Sequence, residues 1–218
     1  MLFCHITSRV KSDPYQNLLA EKGGDGFPYL AFMDAGGNVL ARHDGPRTVE
    51  GFKETALAAN DFLSLKAKAA KGDKQARYRL LVAQLELGQL TSAEARKKLD
   101  EMKYLTKEQR DVIIIGPLAN LEVREIGSST ITSDKASREE AAKKFLEMKK
   151  AGRLPTGSRE TQFFWITIMS YAETEKDAVL FEEGLNALKA RFASNPRAQK
   201  FFEEKEALLQ KLKEGSKQ

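Results

Sequence analysis

Residues able to do chemistry are few in this chain. Its 218 residues hold one cysteine, Cys4, and two histidines, His5 and His43. Exchange between a dithiol and a disulfide within one chain needs two thiols, so Cys4 alone supports no such cycle. A cysteine buried in a strand behaves as a small, inert hydrophobe. To serve as a one-cysteine redox or stress sensor, Cys4 needs exposure and a cationic neighbour. His5 is adjacent, but alternation along a strand points neighbours to opposite faces, which argues against a Cys4–His5 dyad.

Other chemistries fare no better. Zinc needs three or four ligands at workable spacing. His5 and His43 fall in different segments, beside a single cysteine and no HExxH helix, so no metal site and no cofactor is expected. Gly23, Gly24 and Gly26 are not followed by Lys-Ser/Thr and do not open a helix after a strand, so they read as a loop and not a phosphate cradle. Ser129, Thr130, Thr132 and Ser133 lie in the polar stretch 127–136, which reads as a solvated loop. Two histidines cannot be tied to the many acids in a Ser/His/Asp arrangement.

Composition narrows the partners. Hydrophobic residues make up 41% and charged residues 31% of a chain with net charge +5, a profile suited to a globular fold with a core. Residues 1–60 contain six Lys/Arg and seven Asp/Glu, and residues 61–218 contain the other 30 and 24. The cationic excess is interleaved with acids, as in Glu94-Ala95-Arg96-Lys97-Lys98 and Glu203-Glu204-Lys205-Glu206. Such faces read as solvated helix surfaces with i,i+4 pairs. A nucleic-acid footprint needs a basic stripe with motif support, which is missing, so no nucleic-acid partner is expected. No apolar run is long enough to span a bilayer. Residues 1–10 lack a basic leader and a cleavage site, so they read as a strand and not a signal peptide. One cysteine fits a reducing compartment, and a cytoplasmic location is the expectation.

The elements that must position these residues change character near residue 60. Before it, β-like runs at 2–7, 29–34 and 39–43 alternate with glycine and proline. Asp13-Pro14 suits the start of a short helix through Ala20. Ala35-Gly36-Gly37-Asn38 is a tight turn, and a helix starts near Thr48 and runs past Asn60. After residue 60 the pattern is helical. A helix from Asp73 to Leu87 stops at Gly88, and Thr91-Ser92-Ala93-Glu94 and Thr106-Lys107-Glu108-Gln109 are capping boxes. Gly116-Pro117 is expected to break or kink its helix. Ser137-Arg138-Glu139-Glu140 caps a helix ending near Gly152, and Pro155-Thr156-Gly157 is a turn. Two or three helices follow, punctuated by Thr174 and Asn195-Pro196. Phe163-Phe164-Trp165-Ile166 with Ile168 and Met169 is apolar all round, which means buried.

Two resemblances follow from these motifs. The run Gly26-Phe27-Pro28-Tyr29-Leu30-Ala31-Phe32, the Gly-Asn hairpin, Leu40, Arg42, Gly45 and the helix through Gly51-Phe52 resemble the second half of the thioredoxin family. That likeness spans residues 1–60. It implies a cis Phe27–Pro28 bond and a peptide-binding site lined by Phe27, Pro28 and Tyr29. The family's cysteine pair sits upstream of this stretch, so Cys4 is not its nucleophile. The family's missing central strand would also leave open sheet edges, which invite pairing. Either the first strand closes on Tyr29–Asp34, or a partner chain completes the sheet, or the chain is the remainder of a longer protein; a homodimer is the expected arrangement. Separately, residues 72–105, through Ala76, Tyr78, Leu80, Gly88, Ala93 and Ala95, loosely resemble a tetratricopeptide unit of matching period. A generic helical hairpin array fits equally well, and either presents a concave surface for partner peptides.

The expected fold is therefore α/β, a partial thioredoxin-like domain at 1–62, joined to an all-α helical-hairpin array at 63–218. The expected role is a non-catalytic protein–protein interaction or assembly module. The alternative is a thiol–disulfide oxidoreductase whose CxxC half is absent from, or upstream of, this chain.

Overall fold

The computed structural model describes residues 12–24, 26–130 and 135–215. They are mostly helical, with one two-stranded antiparallel sheet. The chain forms two compact units, Met1–Tyr104 and Leu105–Gln218. The boundary expected between residues 62 and 63 falls inside a continuous helix, Val49–Ala70. Fourteen of its residues lie before that point and eight after, with nothing in the run Phe62-Leu63-Ser64-Leu65 that stops a helix.

In the N-terminal unit, Leu18–Glu21 (α1) is a single turn. The helix expected from Asp13-Pro14 does not extend over 14–17, because the Asp13 carboxylate accepts from the Tyr15 amide at 2.8 Å and holds a turn there instead. Strands Ala31–Met33 (β1) and Val39–Arg42 (β2) pair with Ala31 opposite Arg42, Phe32 opposite Ala41 and Met33 opposite Val39. The turn between them is built by Asp34, whose Oδ1 accepts from the Gly36 and Asn38 amides, each at 2.9 Å. Gly37 takes φ +76 there, a conformation that glycine adopts without a Cβ clash. Donation from the Asn38 side-chain amide to both carboxylate oxygens at 3.0 Å, and then from the Asn38 and Gly36 backbone amides, holds the Asp34 carboxyl below the ordinary carboxylate range.

Thr48 caps Val49–Ala70 (α2) by accepting from the Gly51 amide at 3.1 Å. This helix lays Ala59 and Phe62 against Leu40 and Ala41 of β2. Asp73 caps Lys74–Glu86 (α3), and the Thr91–Glu94 capping box opens Ser92–Glu101 (α4). Leu81 and Leu85 of α3 are fully buried. The hairpin expected over 72–105 is thus present as α3 and α4.

The C-terminal unit is all helical among the described residues. Lys107–Ile113 (α5) opens with the Thr106–Gln109 capping box. Gly116-Pro117 does not break the chain direction as expected. Residues Ile114–Leu118 widen into a π-helical turn and continue into Ala119–Thr130 (α6). A proline lacks the N–H of the i→i−4 ladder and collides with the carbonyl one turn back, and the wider turn removes both conflicts. The loop expected at 127–136 is also corrected: α6 runs to Thr130 and Lys135–Lys150 (α7) starts at Lys135. The Ser128 and Ser129 hydroxyls donate to the Glu125 and Ile126 carbonyls at 2.9 and 2.7 Å, satisfying themselves within the helix.

Ser158–Thr174 (α8), Ala178–Phe192 (α9), a 3-10 turn at Pro196–Ala198 and Gln199–Gly215 (α10) complete the unit. Its core is aromatic. Phe145, Phe164 and Phe181 are fully inaccessible, with Trp165, Ile168 and Met169 beside them. Phe164 meets Trp165 edge-on at 5.3 Å and Phe145 at 5.0 Å between centroids, the offset geometries that aromatic quadrupoles favour. Among the described residues no helix is long and apolar enough to cross a membrane.

Candidate functional site

The segment singled out by resemblance lies immediately before β1. The Phe27–Pro28 peptide bond is cis. Phe27 is 65% exposed and Pro28 is exposed beside it. Tyr29 turns the other way: it is half-buried, and its hydroxyl donates to the Lys22 carbonyl at 2.6 Å. Its ring also packs on Gly24, where an added Cβ would meet Tyr29 Cδ2 at 3.0 Å. Burial raises the Tyr29 phenol above its ordinary 10.0, with nearby Arg42 opposing and Asp44 reinforcing that shift. Arg42 and Asp44 pair with each other at 2.8 Å.

The three residues are therefore not equivalent. Tyr29 is an anchor that ties the segment to the end of α1. Phe27 and Pro28 are what the segment presents. Removing an exposed phenylalanine ring from water is favourable by ~25 cal/mol per Å² of apolar area. None of the three carries an activated nucleophile. Cys4 and His5, with the strand expected over 2–7, lie outside the described residues.

His43, which spacing excluded from a metal site, is buried next to this segment. It follows β2, its amide donates to the Leu30 carbonyl at 2.8 Å, and only 7% of it is exposed. Thr55 Oγ1 lies 2.7 Å from His43 Nδ1 and also reaches the Gly51 carbonyl at 3.0 Å, while His43 Nε2 is buried with no hydrogen-bond partner among the described residues. The ring stacks on Phe52 at 4.1 Å and 16°. A Cβ on Gly51 would overlap the Pro46 carbonyl, so glycine is what lets α2 start this close to the loop after β2.

The available signal for this cluster was alternation: Val39, Ala41 and His43 share one face of a strand at i, i+2 and i+4. What spacing along the chain could not reveal is that Thr55, twelve residues away, would orient the ring. The described hydrogen bonds give Nε2 no nucleophile and no second titratable group, so the arrangement clamps a helix to a strand and sets up no proton relay. Among the described residues no group of three or more His, Cys, Asp or Glu side chains is placed to hold a metal ion. No family model, curated protein or solved structure matches this chain.

Proposed function

We propose that this protein is a non-catalytic, thioredoxin-like interaction or assembly module, in which Phe27 and Pro28 contact a partner peptide and Tyr29 holds them in place. The observation that carries the reading is the pairing of a 65% exposed Phe27 with a Tyr29 whose hydroxyl is bonded to the Lys22 carbonyl. Rigidly presented aromatics are the groups that supply most of the energy at protein interfaces. The lone cysteine of the chain supports the non-catalytic part of the reading.

The test is selection of a displayed peptide library on the immobilised full chain, with Phe27→Ala screened in parallel. Peptides enriched on the parent and weakened about tenfold or more on Phe27→Ala, the scale of losing one aromatic hot spot, are the expected result. Enrichment that ignores Phe27, or turnover of a disulfide substrate by the chain, overturns the reading. A homodimer or a second chain pairing with the short sheet belongs to the same proposal, since two strands leave edges that favour pairing. Sedimentation at micromolar concentration tests it: a mass of twice the chain is expected, and a clean monomer excludes the homodimer.

A further inference from the structure

A second surface of the N-terminal unit brings two cations to one cavity. α3 places Arg77, Leu80, Leu81 and Gln84 at i, i+3, i+4 and i+7, which is one face of a helix. α4 places Lys98 and Met102 at i and i+4. Between these faces lies a cavity of about 360 Å³, inside the ~300–1,000 Å³ range of small-ligand sites. Its far wall is Tyr104, held by donation from its hydroxyl to the Lys74 carbonyl at 3.1 Å and by the Lys74 ammonium 5.5 Å from its ring centre.

Two cations face this space, Arg77 and Lys98, the latter one turn after Glu94 on α4 and electrostatically coupled to it. Arg77 Nε donates to the Ala69 carbonyl at 3.2 Å, at the end of α2, where the same oxygen also accepts from the Gly72 amide at 3.0 Å. That bond tethers the guanidinium of Arg77, which lines the cavity. Neither Arg77 nor Lys98 has an ion-pair partner among the described residues. Glu101 stands at the rim and brings the lining charge to +1, from Arg77 and Lys98 against one carboxylate. A single negative charge is complementary to that balance, while the dense phosphates of a nucleic acid would meet Glu101 unfavourably. Leu80 and Met102, both partly buried, line the cavity beside the charges.

We propose that this cavity binds one peptide carboxylate next to an aliphatic side chain, with Arg77 as a fork on the carboxylate, Lys98 as a second cation and Gln84 as a neutral donor. It extends the interaction-module reading to a second surface, and the experiment separates the two. The isotope-labelled full chain is titrated by nuclear magnetic resonance with N-acetyl-Leu-Leu, with its C-terminal amide, and with N-acetyl-Leu-Asp-Leu-amide.

Saturable shifts at the amides of Arg77, Gln84 and Lys98 are expected for the free acid, with the amide weakened roughly tenfold or more, the scale of one lost charge-assisted contact. Binding of the third peptide as well identifies a side-chain carboxylate as an accepted source; its failure identifies the chain terminus as the source. Lys98→Gln, which leaves the Arg77–Ala69 contact in place, weakens the acid by a similar factor, and Arg77→Gln does so at least as strongly. Phe27→Ala leaves this titration unchanged even if the Phe27 reading fails. Equal binding of acid and amide, no saturable shift, or displacement of the same amides by a short single-stranded oligonucleotide in place of the peptides overturns the proposal.

Discussion

In the C-terminal unit Phe145, Phe164 and Phe181 are wholly inaccessible, and Ile168, Met169, Leu185 and Leu188 close around them. In the N-terminal unit the sheet packs on α2 through Leu40, Ala41, Ala59 and Phe62, with Phe32, Leu80, Ala83 and Leu87 only partly buried against them. The same unit exposes Phe27, Val49, Leu57 and Leu63 and holds the cavity lined by Arg77 and Lys98. Burying a large apolar side chain contributes ~1.5–3 kcal/mol, so the two units differ in how much holds them together. The difference teaches a division of labour between cores: the C-terminal unit closes three phenylalanines into its interior, while the sheet of the N-terminal unit is covered by Phe62 and smaller side chains, and both units leave apolar groups exposed, Phe27 and Leu57 in one and Phe163 and Val179 in the other.

The largest effect that sharpens this contrast is Phe164→Ala. It removes a ring packed against Trp165 and Phe145 and should cost about 3–5 kcal/mol. Trp165 is the chain's only tryptophan, so its fluorescence transition in urea reads that loss from the C-terminal unit.

Two glycines come next. Gly51→Ala drives a Cβ into the Pro46 backbone carbonyl, whereas Gly184→Ala meets Met169 Cγ at 2.6 Å, part of a flexible side chain. Overpacking costs typically ~1–3 kcal/mol, and the rigid obstacle at Gly51 puts that variant above Gly184→Ala. Equal losses of thermal midpoint would break the idea that the N-terminal unit depends on close backbone approach at its helix start.

The capping boxes give a smaller and deliberately equal pair. Thr91→Ala and Thr106→Ala remove the same kind of cap from the two units and should each cost ~1 kcal/mol. Matching values from urea titrations would place the contrast in the cores and not in local helix energetics.

The smallest effect is on pH. The Tyr29 phenol is raised above its ordinary 10.0 by burial. Below 10.0 the phenol is neutral whether the chain is folded or not, so its contribution is intact; above it the unfolded chain ionises first and stability falls with rising pH. The urea midpoint of the N-terminal unit should therefore drop on the alkaline side of 10.0, and Tyr29→Phe should flatten that drop.

How far these features were legible depends on their range. Capping boxes at Thr91 and Thr106, the caps at Thr48 and Asp73 and the Asp34–Asn38 turn are written in residues three or four apart, and the structure keeps them. Gly116-Pro117 does interrupt the α-helix, and what its local signal did not show is that a π turn would carry the chain into the next helix. Ser128 and Ser129 looked like loop residues because their preference is polar and local, yet the same back-bonding works inside a helix. The boundary near 62 was drawn where composition shifts, but α2 uses both compositions in one helix. His43 and the Arg77–Lys98 cavity depend on residues twelve and twenty-one apart (43 to 55, 77 to 98), and no local pattern encodes those meetings.

The measurement that tests the contrast most directly is native-state amide exchange of the full chain across a urea series, read against Trp165 fluorescence. The account predicts that the amides of α2 and α3 lose protection at lower urea than the Trp165 transition, because the N-terminal unit opens first. If those amides stay protected up to the Trp165 midpoint and are lost together with it, the two units are held equally and the division of labour is wrong.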